Sequence, residues 1–398
     1  QFDSNHLEPG RDLQSQTNGA RLDQSGQTDV HQVNQMMGSL KRPEYPWNPR
    51  KEEKIILNGF RKRFTPVFLL VIILFIGQHS YGTELGHLKP VKLKVIALPF
   101  MSYAPFYVAE EEGYFAEQKL QIEFVKMTDA IGALPLLIKG DIDVWSDIIY
   151  PSCLNSMIRG AKIKIVADKG HLSATGCNYT VFMARRALIE EGKLDSLSRL
   201  KGLRVATTQG SALSGYYLEK LLSKVGLTVA DIQLLFLLMP NRADAFERGS
   251  LDVAMVVEPW VTKILQKGHA AVWIPIQQVA PNFQQAILLY GPTLLEKNPE
   301  AGNRFMVAYL KAVRQVNQGK TERNIKILTK HTGLDQDHLK QTCWPAFRND
   351  GQINIESIND FQNWVFKKGL IDTVISPNQF WDPSFIEYAN KVLGPAKN

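Results

Sequence analysis

The chain is predicted to be an α/β protein of two similar lobes around a central cleft, with a helical C-terminal region. Three observations predict this. First, an internal echo: I-K-G-D-I-D-V-W at 138–145 and E-R-G-S-L-D-V-A-M-V-V-E-P-W at 247–260. In each, a helical run ends at a glycine (Gly140, Gly249), and an aspartate (Asp143, Asp252) opens an apolar strand. Glycine at a helix C-terminus supplies the left-handed conformation that turns the chain back. The strand that follows is apolar on both faces, as a strand covered by helices on both sides must be. Second, short apolar runs alternate with helical runs from 91 to 257, the pattern of parallel strands joined by right-handed crossovers. Third, the chain is mostly helical from Pro299 onward. Two lobes make a cleft, and small ligands bind in clefts.

In order, V-K-L-K-V-I-A-L (91–98) alternates like a strand, and Pro99 to Pro105 is a loop. Phe106 to Glu112 is a short helix stopped by Gly113; 121–125 is a strand, 131–139 a helix and 143–145 a strand. Further strands fall at 162–168 and 178–184. The second half repeats the order with a strand at 203–208, a turn at Gln209-Gly210 and a helix at 211–225. Then come a strand at 233–238, a helix at 241–248 and a strand at 252–257. Trp273-Ile274-Pro275 and Ala286 to Leu289 read as strands returning to the first lobe. Helices follow at 299–318, 322–331, 335–342, 354–368 and 384–393. The lobes are expected to span 91–180 with 278–398, and 181–277.

Residues 1–63 form a polar leader, rich in Gln, Asn, Ser, Asp and Gly through residue 50, that buries too little apolar area to order itself. Lys51, Lys54, Arg61, Lys62 and Arg63 then precede the apolar run F-T-P-V-F-L-L-V-I-I-L-F-I (64–76), and small and polar residues follow to Gly82. This resembles a secretory signal peptide. The run is shorter than the roughly 20 apolar residues of a stable span, so cleavage is favoured over an uncleaved anchor or a buried strand. The net charge of +7 is unevenly placed, these five basic residues crowding just before the run, and the rest mixes both signs with no basic stripe and interleaved aromatics, which argues against a nucleic-acid partner. Cys153, Cys177 and Cys343 match neither a zinc ribbon nor a redox pair. Three small buried residues are the favoured reading; export would allow one bridge with one thiol left over.

Q-G-S-A-L-S-G-Y-Y-L-E-K-L-L (209–222) is the strongest ligand candidate. Ser211 can cap the helix, whose first N–H groups and dipole form an anion site at Gln209, Gly210, Ser211 and Ala212. That dipole contributes about 0.3–1 kcal/mol, against about 8 kcal/mol for micromolar affinity, so other groups must close over the ligand. Gly210 and Gly215 have P-loop spacing, but Tyr216 stands in place of the phosphate lysine. Ser214 lacks the preceding glycine of a nucleophile elbow. Glu258 ends a buried strand before Pro259 and Trp260, at the sheet edge where α/β proteins bind ligands. Its carboxylate suits an amine or amidine. Trp145, Ser146 and Asp147 hold the corresponding strand end in the first half. Ser102, Tyr103 and Phe106 stand at the loop after the first strand, where aromatics and short polar groups would wall a cleft. No histidine or cysteine spacing supports a metal, and no catalytic set or cofactor motif emerges.

Several stretches resemble one family. Y-A-P-F-Y-V-A-E-E-E-G-Y-F-A-E-Q-K-L-Q-I-E-F-V (103–125), G-x-x-D-V at 140–144 and 249–253, and L-K-G-L-R-V-A-T-T-Q-G-S (200–211) carry the likeness. So do L-L-S-K-V-G-L (221–227), Glu258-Pro259 and D-G-Q-I-N-I-E-S-I-N-D-F-Q-N-W (350–364). Together they resemble the periplasmic solute-binding proteins for sulfonates, taurine, nitrate and the pyrimidine precursor of thiamine, over about 91–375. The resemblance implies a type II periplasmic-binding fold whose lobes, joined by two crossing strands, close on a small solute. It also implies delivery to an ABC permease in the inner membrane, a monomeric periplasmic protein and no catalysis. The ligand's anionic or polar end would rest on 208–212. Alternatives are a binding protein for the pyrimidine precursor, and the pyrimidine synthase branch, which carries a cysteine-rich motif and a cofactor-linked lysine or histidine. A third is a sensing ectodomain tethered by 64–77.

Overall fold

Among the described residues, ten strands order themselves into two five-stranded sheets of one plan. The computed structural model describes residues 89–127 and 130–395; the leader and the signal-like segment lie outside them. The strands are β1 (Val91–Ile96), β2 (Leu120–Val125), β3 (Val144–Ile148), β4 (Lys164–His171), β5 (Thr180–Arg185), β6 (Arg204–Thr207), β7 (Gln233–Phe236), β8 (Val253–Val257), β9 (Ala270–Pro275) and β10 (Gln284–Tyr290). The first sheet runs β2-β1-β3-β10-β4 and the second β7-β6-β8-β5-β9. Each predicted strand is present, with its ends moved by a few residues.

The all-parallel expectation needs correction. β1 pairs in parallel with β2 and β3, but β10 is antiparallel to β3 and β4. In the second sheet β6 is parallel to β7 and β8, whereas β5 is antiparallel to β8 and β9. The reason is connectivity. β5 enters the second sheet directly from the first, and β10 makes the reverse crossing, so neither arrives through a helical crossover of its own sheet. β9, with Trp273 to Pro275, stays at the edge of the second sheet; only β10 returns.

The echo has one structural role in both halves. Asp143 donates its N–H to the Lys94 carbonyl at 2.9 Å and accepts from the Lys94 amide through Oδ2 at 2.7 Å. Asp252 does the same to Arg204, at 3.1 and 3.0 Å. Each aspartate thus laces the start of its strand to the neighbouring parallel strand, and satisfies backbone groups that would otherwise be orphaned. The glycines before them, Gly140 and Gly249, have φ of 80° and 64°, as the left-handed turn requires.

Helices cover the sheets: α1 (Ala104–Glu111), α2 (Leu134–Lys139), α3 (Pro151–Ile158), α4 (Ala212–Ser223), α5 (Met239–Glu247), α6 (Trp260–Lys267), α7 (Pro299–Val316), α8 (Glu322–Thr332), α9 (Gln336–Gln341), α10 (Ile355–Lys367) and α11 (Ser384–Leu393), with shorter helical turns between. Asn298 caps α7 by accepting from the Ala301 amide at 3.1 Å. That helix buries Phe305, Met306, Tyr309, Leu310 and Val313. Among the described residues no helix is long and apolar enough to cross a membrane.

The cysteines correct a second expectation. Cys177 and Cys343 form a disulfide, and Cys153 is a free, buried thiol. Cys177 lies between β4 and β5, on the first crossing between sheets. Cys343 lies after α9, in a segment bonded to both lobes. Its amide donates to Glu258 at the end of β8, and Ala346 accepts from the His171 amide at the end of β4. The Arg348 amide donates to Asp168 Oδ2 at 2.8 Å, and Arg348 Nη1 pairs with Oδ1 at 3.2 Å. Residues 342–348 are therefore a third connection beside the two crossing strands.

Candidate functional site

The carboxyl ends of both sheets open on one cavity of about 600 Å³. Leu98, Asp147, Lys169 and His171 line it from the first lobe, and Thr208, Met255 and Val257 from the second. Its floor is made where the crossing strands meet: Gln285 of β10 donates to the Thr180 hydroxyl of β5 at 3.1 Å. This is the edge at which open α/β sheets take ligands.

Of the predicted residues, Ser102, Asp147, Gln209, Gly210 and Ser211 line the cavity. Ser211 caps α4, its hydroxyl accepting from the Ser214 amide at 3.4 Å. Among the described residues the amides of Gly210, Ala212 and Leu213 have no hydrogen-bond partner, which leaves donors at the N-terminus of a twelve-residue helix. Thr208, just before, has its hydroxyl oxygen engaged by Arg242 Nη2 at 2.9 Å, so its proton is free to point elsewhere. Arg242 is fully buried, and its other acceptors are the Leu237 and Met255 carbonyls and the Met239 sulfur. Burial lowers its guanidinium to about 10. No carboxylate neutralises it among these bonds, so its charge reaches the cavity through Thr208.

The other seven stand elsewhere, and each has a physical reason. Trp145 is buried three residues below the end of β3, where its indole N–H donates to the Ala130 carbonyl at 2.6 Å. Tyr103 donates to the Ser146 carbonyl at 2.7 Å, beneath the site. Phe106 packs into the core against Phe305 and Tyr309, at 6.0 and 5.5 Å between ring centres. Ser146 is fully buried, its hydroxyl unpartnered among the described residues. Ala212 is the first residue of α4 and does not face the cavity. Glu258 is turned away: Oε1 accepts from the Cys343 amide at 3.0 Å and the Thr262 hydroxyl at 2.9 Å, and Oε2 from the Thr262 amide at 3.0 Å. With its carboxylate holding 342–343 and the first turn of α6, it is not offered to a ligand amine. Trp260 begins α6 and lies under the Lys263 ammonium, 4.6 Å away.

Sequence reasoning missed Lys169, His171 and Tyr217. Lys169 is buried, its Nζ 3.3 Å from the Ser102 hydroxyl and 3.5 Å from the Tyr103 ring centre. Desolvation pushes its ammonium down to about 8, while Asp147 pulls it up. The signal was present: Asp168-Lys169 interrupts the apolar run Ile165 to Ala167, and a charge inside a buried strand demands a partner or a purpose. The Tyr217 hydroxyl and His171 Nδ1 are buried without hydrogen-bond partners among the described residues. Both residues line the cavity.

Two mixed sheets with their ends on one cleft define the periplasmic-binding-protein architecture. Residues 101–323 match the NMT1/THI5-like family model, and the chain belongs to that family. The aliphatic sulphonate-binding protein SsuA of Escherichia coli has a similar fold: 19% identity, 74% of this chain and 93% of that one covered, TM-score 0.60. So does the nitrate-binding protein NrtA of Synechocystis PCC 6803, at 15% identity, 77% and 90% coverage and TM-score 0.58. The desulfurization enzyme DszB also matches, at 13% identity, 76% and 99% coverage and TM-score 0.53. At these identities the likeness is one of fold. No curated protein shows a matching sequence.

Proposed function

We propose that this chain is the solute-binding component of an ABC importer and captures a small organic anion, a sulfonate or a related polar solute, between its lobes. The observation that carries this reading is a cavity walled by both lobes, with a buried lysine on one side and the free amides at the start of α4 on the other. A ligand bonded to both halves favours the closed arrangement through its differential contacts there. Lys169, the Thr208 hydroxyl and the amides of Gly210 and Leu213 grip the anionic end, and no step of bond making is required. On this reading the protein works in the periplasm as a monomer and hands its solute to a permease in the inner membrane. The Cys177–Cys343 bridge suits an oxidising compartment of that kind.

Thermal-shift screening against taurine, alkanesulfonates, nitrate and pyrimidines tests the proposal. A ligand present at about 100 times its Kd stabilises by about 2.7 kcal/mol, a readily visible rise in Tm. If none of them shifts Tm, or the shift survives Lys169→Met combined with Ser211→Trp, the cleft is not the site.

A further inference from the structure

Resting on the solute-binding reading above, we propose that the cleft selects organic anions with an apolar body of ring size or longer over inorganic oxyanions and short aminosulfonates. The first argument is volume. A water occupies about 30 Å³, so the cavity of about 600 Å³ holds on the order of 20 of them. A bare oxyanion would displace only a few and leave the rest facing apolar wall.

The second argument is the wall itself. Leu98, Phe100 and Ile131 on one lobe face Leu213, Met255 and Val257 on the other. Phe100 and Ile131 are 51% and 41% exposed, large apolar side chains held in water at the site. Covering them is favourable only if the guest brings apolar surface of its own. Met239 also lines the cavity, its sulfur held by Arg242, while the thioether of Met255 fits bodies of different outline.

The third argument is the shortage of carboxylates. Among the described residues Asp147 is the one carboxylate in the lining; it accepts from the Ile148 amide at 2.8 Å and the Tyr150 hydroxyl at 3.1 Å, and its charge already attracts Lys169. Glu258, the other acidic group at a strand end, is bonded to Thr262 and Cys343. An ammonium on the guest would therefore be desolvated against Lys169 with no free counter-charge, a costly burial. The Tyr217 hydroxyl, without a hydrogen-bond partner among the described residues, offers a hydrogen-bonding point to a guest that carries a second polar group.

Titration calorimetry of the full chain with nitrate, taurine, and ethane-, butane- and hexanesulfonate tests the inference, with 1-naphthalenesulfonate as the ring probe. Affinity should rise by about fourfold per added methylene, the equivalent of about 0.8 kcal/mol each, with 1-naphthalenesulfonate among the tightest and nitrate and taurine weakest. Phe100→Ser and Ile131→Ser, at exposed positions that the fold tolerates, should weaken hexanesulfonate more than ethanesulfonate. Equal affinities along the series, or taurine or nitrate binding tightest, would overturn this inference and leave the solute-binding reading standing. Failure of every probe to bind would overturn both.

Discussion

Burial lowers the Lys169 ammonium to about 8 from its ordinary 10.5, although Asp147 opposes the shift. The sign of its two linkages differs. The unfolded chain binds this proton more tightly, so folding stability rises with pH between about 8 and 10.5. An anion bound beside Nζ stabilises the charged form, so binding takes up a proton above pH 8. Affinity for an anionic solute should fall by up to about tenfold per pH unit there. Tyr103 and Asp147 face the same ammonium and His171 stands two residues along the strand, so a control is needed. Lys169→Met should weaken an alkanesulfonate by roughly 10- to 100-fold, the worth of a hydrogen bond to a charged group. It should also abolish the slope above pH 8 in calorimetry from pH 6.5 to 9.5; a slope that persists would assign it to another group. Glu258 teaches the converse. Its place at the end of β8 was legible in the sequence, but its direction was not, because its partner Cys343 is 85 residues away. Glu258→Gln should lower Tm by an amount equivalent to about 1–3 kcal/mol, while alkanesulfonate affinity changes far less than in Lys169→Met.

At the scale of elements, local pattern carried far. Strand positions follow from apolar runs between glycines, and the G-x-x-D echo foretold two like sheets because one backbone-lacing aspartate recurs in each. What local pattern could not carry was strand direction and pairing. β5 and β10 look like their neighbours in composition, but their antiparallel sense is set by which sheet the chain leaves. The aromatics assigned to the cleft, Trp145, Tyr103 and Phe106, went to the core for a related reason. Ring size is legible, while depth below a strand end depends on helices packed from distant sequence. The disulfide is the strongest non-local tie, closing a loop of 166 residues. A loop of that length restricts the unfolded chain by up to about 5 kcal/mol. The Cys177→Ser, Cys343→Ser double variant should therefore unfold at clearly lower denaturant concentration than wild type, with Cys153→Ser as the variant that leaves this bridge intact. Equal midpoints would show that the bridge contributes nothing beyond the hydrogen bonds of residues 342–348.

At the scale of the whole molecule, two sheets of one plan meet end to end, and among the described residues three segments connect them: the crossings at 172–179 and 276–283, and the strap at 342–348. On the proposed reading, capture between lobes requires the lobes to close about these connections. The central claim is that one guest touches both lobes at once. Hydrogen exchange of the full chain, with and without saturating hexanesulfonate, tests it most directly. The account predicts that protection rises together in 208–217 of the second lobe and in 147–150 and 169–171 of the first, and that Lys169→Met removes both. Protection confined to one lobe, or appearing on a surface away from these segments, would contradict it.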